Sequence, residues 1–391
     1  MNNTVNAEKL HIGFFGMRNA GKSSLVNTIT NQNISIVSEI KGTTTDPVKK
    51  SMELLPLGPV VIVDTPGLDD EGELGELRIE KAKRVLSSIN IAILVVDSKV
   101  GRTTLDNELI ENFKEKNLPY IVVYNKCDLL EKREKLENNE IYVSSLNKEN
   151  LEELKEKIGS FAKDLDNQKR IIGDLLEAGD IVVLVIPIDE SAPKGRLILP
   201  QQQTMRDILD SNCSFIACQE TELEATLKAL SKKPKIVVTD SQVFEKVAKI
   251  VPEDILLTSF SILFARYKGN LEELVKGAEV LKNLSNNSKV LIAEGCTHHR
   301  QCNDIGTVKF PKWIEEFTGC KPQFTFTSGT EFPNDLSNFD LIIHCGGCMV
   351  TEAEMKYRLE EAKKAHVPMV NYGIAISTMH GILERSLKPF Q

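Results

Sequence analysis

Leu10–Phe15, then Gly16-Met17-Arg18-Asn19-Ala20-Gly21-Lys22-Ser23-Ser24, is the stretch that decides how the first third of this chain folds. A short apolar run, a glycine-bounded loop and the helical pattern SSLVNTIT predict strand, phosphate loop and helix. The spacing GxxxxGKS lets the backbone bend so that the N–H groups from Asn19 through Ala20, Gly21 and Ser24 point at phosphate oxygens. Lys22 is placed to reach the β and γ phosphates, and Ser23 to ligate Mg²⁺. A glycine-rich turn arising by chance would lack the strand before it and the helix after it.

Further motifs follow at later strand ends. Val60–Val63 runs into Asp64-Thr65-Pro66-Gly67, where the carboxylate can support the Mg²⁺ shell and Gly67 can turn toward a γ-phosphate. Tyr120–Tyr124 precedes Asn125-Lys126-Cys127-Asp128. The Asp128 carboxylate can accept from N1 and the 2-amino group of guanine, a donor pair that adenine lacks, which selects GTP. Ile141–Val143 leads to Ser144-Ser145-Leu146, suited to a backbone contact with the guanine oxygen. In this order the motifs resemble the Ras-like P-loop GTPases, which implies a GTPase domain over residues 1–165 that converts GTP to GDP and phosphate.

Asn19, together with Gly42-Thr43-Thr44-Thr45-Asp46, resembles the TrmE/Era-like branch, whose switch usually reads GTTRD; Thr45 replaces the arginine here. That resemblance implies a Mg²⁺-binding role for Thr44, with Lys22, Thr44 and Gly67 as the catalytic set. It also implies a K⁺ ion held by Asn19, where the cation would stabilise developing charge as an arginine finger does. A loop-stabilising amide is the alternative for Asn19. Leu68 stands where many GTPases place a water-orienting glutamine, so unaided hydrolysis should be slow.

The chain's 391 residues exceed one ordinary core, and three domains are expected: 1–165, 175–268 and 270–391. The balance of 48 Lys and Arg against 56 Asp and Glu, formally −8, argues against a broad nucleic-acid surface. MNNTVNAEKL lacks a basic segment followed by an apolar run, and no apolar run is long enough for a bilayer, so a cytoplasmic protein without membrane contact is expected. In a reducing compartment, eight cysteines read as metal or redox groups and bystanders rather than a disulfide framework.

From Ile181 the pattern alternates: IVVLVIPI, a helix around QQTMRDILD, CSFIACQ, TELEATLKALS, KIVVTD, SQVFEKVAKIV, then ILLTSFSIL as a strand. This predicts a small, mostly parallel sheet with helices. Cys213 and Cys218 should fall on opposite faces as inert thiols, and Asp189, Glu190 and Lys194 read equally as a site or as solvated loop charges. With no chemistry evident, this block is expected to mediate homodimerisation. The last block opens with helix LEELVKGAEVLKNLS and continues through strand Lys289–Ala293, helix PKWIEEFTG, strand QFTFTS, strand Leu341–His344, a helix from Thr351 to Ala365 and strand Pro368–Tyr372. Trp313 reads as a core anchor. The fold class is thus α/β throughout, with a P-loop GTPase followed by two smaller domains with mostly parallel sheets.

Two stretches of the last block carry metal-ligand chemistry, Cys296-Thr297-His298 and Cys345-Gly346-Gly347-Cys348, each just past a strand's carboxyl end. The glycines let backbone amides approach sulfur, and the following helix would point its amino terminus at an anionic centre. Three thiolates and an imidazole suit tetrahedral Zn²⁺, and a [4Fe–4S] cluster with one exchangeable position fits equally. His299, Cys302, Glu294 and His344 could substitute or form outer contacts, and His344 could simply be packed. Cys127 and Cys320 read as bystanders.

Cys-x-His, forty-six residues and Cys-x-x-Cys, behind a TrmE/Era-like GTPase, resemble the HydF family of [FeFe]-hydrogenase maturation GTPases. The resemblance spans the whole chain. It implies a [4Fe–4S] cluster on Cys296, Cys345 and Cys348, with His298 as a weak or conditional fourth ligand. It also implies a scaffold and carrier that receives a diiron precursor bearing CO and cyanide, with radical-SAM maturases and apo-hydrogenase as partners. Two other readings stay open at this level: a Zn-stabilised Era-like GTPase acting on RNA or ribosomes, and an iron–sulfur redox-sensing GTPase.

Overall fold

Strands buried on both faces read as unbroken apolar runs, and that is how the first sheet is built. In the computed structural model, which describes residues 9–30, 48–54, 57–65, 85–166, 169–188, 197–295, 305–329, 331–333 and 335–391, the chain forms two compact units, Met1–Gln168 and Lys169–Gln391. The first holds β1 (Leu10–Phe15), β2 (Val48–Leu54), β3 (Gly58–Asp64), β4 (Ile91–Asp97), β5 (Tyr120–Asn125) and β6 (Glu140–Val143), in the order β2-β3-β1-β4-β5-β6. Only β2, at an edge, runs antiparallel to its neighbour. Ile91–Val96 are all buried, and one apolar cluster lies on each face of the sheet, around Leu25, Val26 and Ile158 and around Leu86, Phe113 and Leu109. The parallel strands deliver their carboxyl ends to one edge, where β1, β3, β4, β5 and β6 release the loops that matter.

The second unit contains two four-stranded sheets among the described residues, both wholly parallel. The order in one is β10-β9-β7-β8, from β7 (Ile181–Val185), β8 (Ser214–Cys218), β9 (Ile236–Thr239) and β10 (Leu256–Ser259). The other is β12-β11-β13-β14, from β11 (Lys289–Glu294), β12 (Gln323–Ser328), β13 (Leu341–His344) and β14 (Met369–Asn371). One buried cluster joins them, running from Val183, Val237 and Phe244 through Ile262 and Leu274 to Ile292, Ile343 and Val370. The helix Leu271–Leu281 approaches β14 so closely that a Cβ on Gly277 would lie 2.2 Å from the Met369 carbonyl oxygen.

One element differs from the sequence reading. ILLTSFSIL, expected as a strand, ends as β10 at Ser259, and Phe260–Lys268 is a helix. The Ser259 hydroxyl accepts from the Ile262 amide at 3.3 Å, a helix N-cap that the alternation of apolar residues had hidden. Phe260, Ile262, Leu263, Phe264 and Ala265 are all buried, so the helix is covered nearly all round. Trp313 is half-buried, and its helix Phe310–Thr318 is anchored instead by buried Phe310 and Ile314, with the Phe310 and Trp313 rings 5.6 Å apart. Cys213 is buried in the cluster around Val182 and Ile208, while Cys218 packs against the larger one on the other face of β7 and β9. Among the described residues no helix is long and apolar enough to cross a membrane.

Candidate functional site

The loop after β1 turns on glycine. Gly16 adopts φ +136°, and a Cβ there would lie 2.1 Å from the Val95 carbonyl oxygen; at Gly21, φ +91°, a Cβ would lie 2.3 Å from the Asn125 side-chain amide nitrogen. The helix Lys22–Thr30 then starts with Ser23 and Ser24 exposed, so its amino terminus adjoins the loop. Lys22 folds back over this loop and donates to the carbonyls of Gly16 at 2.6 Å and Met17 at 3.2 Å. Asn19 sits at the exposed tip with φ +65°, a conformation that asparagine tolerates.

Asn125, one per cent exposed, ties three loops together. Its amide nitrogen donates to the Ala20 carbonyl at 3.0 Å, and its oxygen accepts from the Ser145 amide at 3.1 Å and hydroxyl at 2.9 Å. Asp128 is oriented by the Ser144 hydroxyl at 2.5 Å. Lys126 adopts φ +62° and pairs with Asp97 at 2.6 Å. Burial raises the Asp97 carboxyl, but hydrogen bonds from Lys126 and the Lys99 amide outweigh it and hold the group below its usual range. Leu146 is exposed beside them. Asn19, Ala20, Gly21, Lys22, Ser23, Ser24, Asn125, Lys126, Asp128, Ser144 and Ser145 therefore converge, joined by Asp97, which the sequence reading missed although it closes the apolar run Ile91–Val96.

Asp64 ends β3, with Thr65 held on the Phe14 carbonyl at 2.8 Å. Burial pushes its carboxyl up to about 6, against the pull of Lys22, and its Oδ1 is buried with no hydrogen-bond partner. A buried, unpartnered carboxylate oxygen within reach of the Lys22 charge fits a hard divalent cation. Thr44 and Gly67, with Leu68 and the rest of the first switch, lie outside the described residues, as do Asp189, Glu190 and Lys194.

In the second unit, β11 and β13 are neighbours with Ala293 opposite His344, so Gly295 and Cys345 emerge side by side. The Gly295 amide donates to the Cys345 sulfur at 3.0 Å and the Gly347 amide at 3.5 Å. Burial pushes the Cys345 thiol up to about 11; the two amides oppose this, while Cys348 and Glu294 add to it. Burial also raises the Cys348 thiol, and Lys268 lowers it. Cys296, His298, His299 and Cys302 lie outside the described residues, and among the described residues no group of three potential ligands surrounds one point.

His344 is fully buried, with both ring nitrogens engaged: Nδ1 lies 2.8 Å from the Cys345 carbonyl oxygen and Nε2 3.0 Å from Nη1 of Arg358. Arg358, also buried, donates to Glu354 at 2.9 Å and to the Gly329 carbonyl at 2.8 Å, and its guanidinium lies over the Phe332 ring. Since Arg358 only donates, Nε2 accepts and Nδ1 carries the proton. His344 is thus a packed, neutral strut beneath Cys345. Arg358 was invisible in sequence because it is one of eight charged residues in the helix EAEMKYRLEEAKK, with nothing local to mark it as buried.

This strut has an acid limit. Burial, then Arg358, lowers His344 from 6.5 to about 4. Between those values the unfolded chain binds more protons, so the stabilisation is complete above pH 6.5 and is lost as pH falls toward 4, by roughly 3 kcal/mol. Urea unfolding followed by fluorescence of Trp313, the single tryptophan, should show this loss, and His344→Gln should flatten it. Identical pH slopes in the two proteins would contradict it.

Similarity to known proteins completes the picture. Residues 171–269 match the hydrogen maturase F dimerization domain and 272–389 its tetramerization domain, together more than half of the chain. The chain belongs to the hydrogen maturase F family. Residues 11–126 match the family described as 50S ribosome-binding GTPase, so a GTPase domain precedes the two hydrogen maturase F domains, which are domains of self-association.

Its curated relatives include the tRNA modification GTPase MnmE of Clostridioides difficile (strain 630), 36% identical over 161 residues, 39% of this chain and 34% of that protein. MnmE of Lactococcus lactis subsp. cremoris (strain MG1363) is 33% identical over 201 residues, 46% of this chain and 44% of that protein. The chain thus spans between about a third and a half of these relatives' length. Among solved structures, the G domain of the T. maritima FeoB iron transporter matches with TM-score 0.33 and 25% identity, covering 40% of this chain and 99% of that one. A probable GTP-binding protein, EngB, matches with TM-score 0.33 and 23% identity, covering 39% of this chain and 99% of that one.

Proposed function

We propose that this member of the hydrogen maturase F family is a GTP-hydrolysing scaffold that holds a [4Fe–4S] cluster on Cys296, Cys345 and Cys348. It would receive a diiron precursor bearing CO and cyanide as cargo and deliver it to apo-[FeFe]-hydrogenase, working with radical-SAM maturases in the cytoplasm. The observation that supports this best is the 3.0 Å hydrogen bond from the Gly295 amide to the Cys345 sulfur, because Cys296 is the next residue along the chain. Amides aimed at sulfur suit a thiolate or sulfide centre. His298 is the candidate fourth ligand, and weak ligation would keep one position exchangeable for cargo. His344, with both nitrogens engaged, supports the loop from below rather than competing for that position.

On the nucleotide side, Lys22 and the amides of residues 19–24 would bind the phosphates, Ser23, Thr44 and Asp64 would hold Mg²⁺, and Gly67 would meet the γ-phosphate. Asp128 would read guanine, with Ser144, Ser145 and Leu146 closing over the base. Asn19 would hold K⁺; turnover is expected to be higher in KCl than in NaCl at equal ionic strength, and equal rates would count against that role. Homodimerisation through the middle domain, residues 175–268, is supported by its edge strand β8, which leaves Ser214, Ile216 and Ala217 exposed.

The carrier role is tested by activation of apo-hydrogenase with protein purified after co-expression with its partner maturases. Infrared bands of CO and cyanide on the purified protein, and hydrogenase activity on mixing, are expected. No activation despite an intact cluster would remove the carrier role. Stoichiometric zinc without iron or sulfide would instead favour a Zn-stabilised GTPase acting on RNA or ribosomes.

A further inference from the structure

The cysteine loop after β13 is held by a charge from another part of the unit. Lys268, the last residue of the helix Phe260–Lys268, is four per cent exposed. Its ammonium donates to the carbonyls of Gly347 at 3.1 Å, Cys348 at 3.2 Å and Val350 at 2.9 Å. The Phe264 ring, one turn back on the same helix, lies 5.8 Å from it. Those three acceptors belong to the turn that carries Cys348 and leads into the helix Glu352–Lys364. An ammonium has three donors, and three carbonyls converge on this one.

A buried lysine is retained at a cost in desolvation, and only close, charge-assisted acceptors offset it. Lys268 meets that condition with main-chain oxygens, so what it fixes is the backbone path of residues 347–350. The helix that delivers it is capped at Ser259, the end of β10, so the tether runs from the middle sheet to the cysteine loop. The same helix meets the last sheet at Ser261, whose carbonyl accepts from the Asn371 side chain at 2.8 Å, so its placement is fixed at both ends.

We propose that Lys268 is a positioning residue of the cluster site, which pre-forms the Gly347–Val350 turn and sets a positive charge beside Cys348. The charge half of this rests on the cluster reading above; the tether does not. A fixed cation beside a cluster stabilises its reduced, more negative state, so it raises the reduction potential. Without it the turn loses three charge-assisted hydrogen bonds at once.

The test compares full-length wild type with Lys268→Met, which keeps the length and removes the charge, and Lys268→Arg, which keeps the charge. Hydrogen exchange of apo-protein at the Gly347 and Val350 amides should be faster by at least about tenfold in Lys268→Met. In reconstituted protein the cluster potential should be more negative in Lys268→Met and restored toward wild type in Lys268→Arg. GTP turnover in the same samples should be unchanged, which checks the fold of the first unit, and a wild-type Trp313 emission checks that of the second. If Lys268→Met does not fold, the same comparison is made with Lys268→Gln. Exchange within twofold of wild type overturns the tether whatever the metal content. An unmoved potential overturns the charge role. A wild-type protein that takes up no iron overturns the cluster reading and leaves the exchange result decisive for the tether.

Discussion

Lys22→Ala is expected to lower GTP turnover by at least about 10²-fold, the scale of removing one pre-set donor from a developing oxyanion. The ammonium is already held over the phosphate loop by the carbonyls of Gly16 and Met17, so wild type spends little reorganisation on placing it. Charge that builds on the bridging and γ oxygens during transfer is met more strongly than charge in the ground state, so turnover should fall more than GDP affinity does. Single-turnover hydrolysis and GDP binding measured on the same variant separate the two. Turnover within about threefold of wild type would remove Lys22 from the catalytic set.

Cys345→Ala is expected to reduce iron and sulfide after anaerobic reconstitution to background while leaving GTP turnover intact. The sulfur is where two backbone amides converge, and alanine removes the candidate ligand together with the acceptor that those amides share. Because raised thiols must release their protons to bind metal, loading of wild type should also improve as pH rises, in the direction set by burial of Cys345. Cys213→Ala and Cys320→Ala serve as comparisons and should load as wild type. Iron retained at more than about half in Cys345→Ala would exclude that residue as a ligand.

Much of the nucleotide site was legible because its chemistry sits in short, contiguous motifs: GxxxxGKS bends one loop, and Asn125 to Asp128 lie within four residues. The tie that makes them one site was not legible, because Asn125 reaches Ala20 and Ser145 across 105 and 20 positions of sequence. Asp97 was missed for the same reason, since its partner Lys126 lies just past the end of the next strand, β5. In the second unit the cysteine loop announced itself through its spacing, whereas its supports did not. Lys268 closes a helix whose first four residues, Phe260–Leu263, had been read as strand continuing from β10, and Arg358 stands on a helix whose other charges are mostly solvated. Both are buried cations whose roles depend on acceptors 79 and 14 positions away, which local periodicity does not encode.

The single buried cluster that joins the two sheets of Lys169–Gln391 has a consequence for how this region melts. The two family domains within it are separable lengths of sequence, meeting near residue 270, but Ile262 and Leu274 on either side of that point belong to one core. Cooperativity follows contact rather than ancestry, so the assembly region and the cysteine-bearing region should rise and fall in stability together. A perturbation at a subunit contact would then be felt at the cysteine loop as a change in opening free energy, with no hinge needed to carry it.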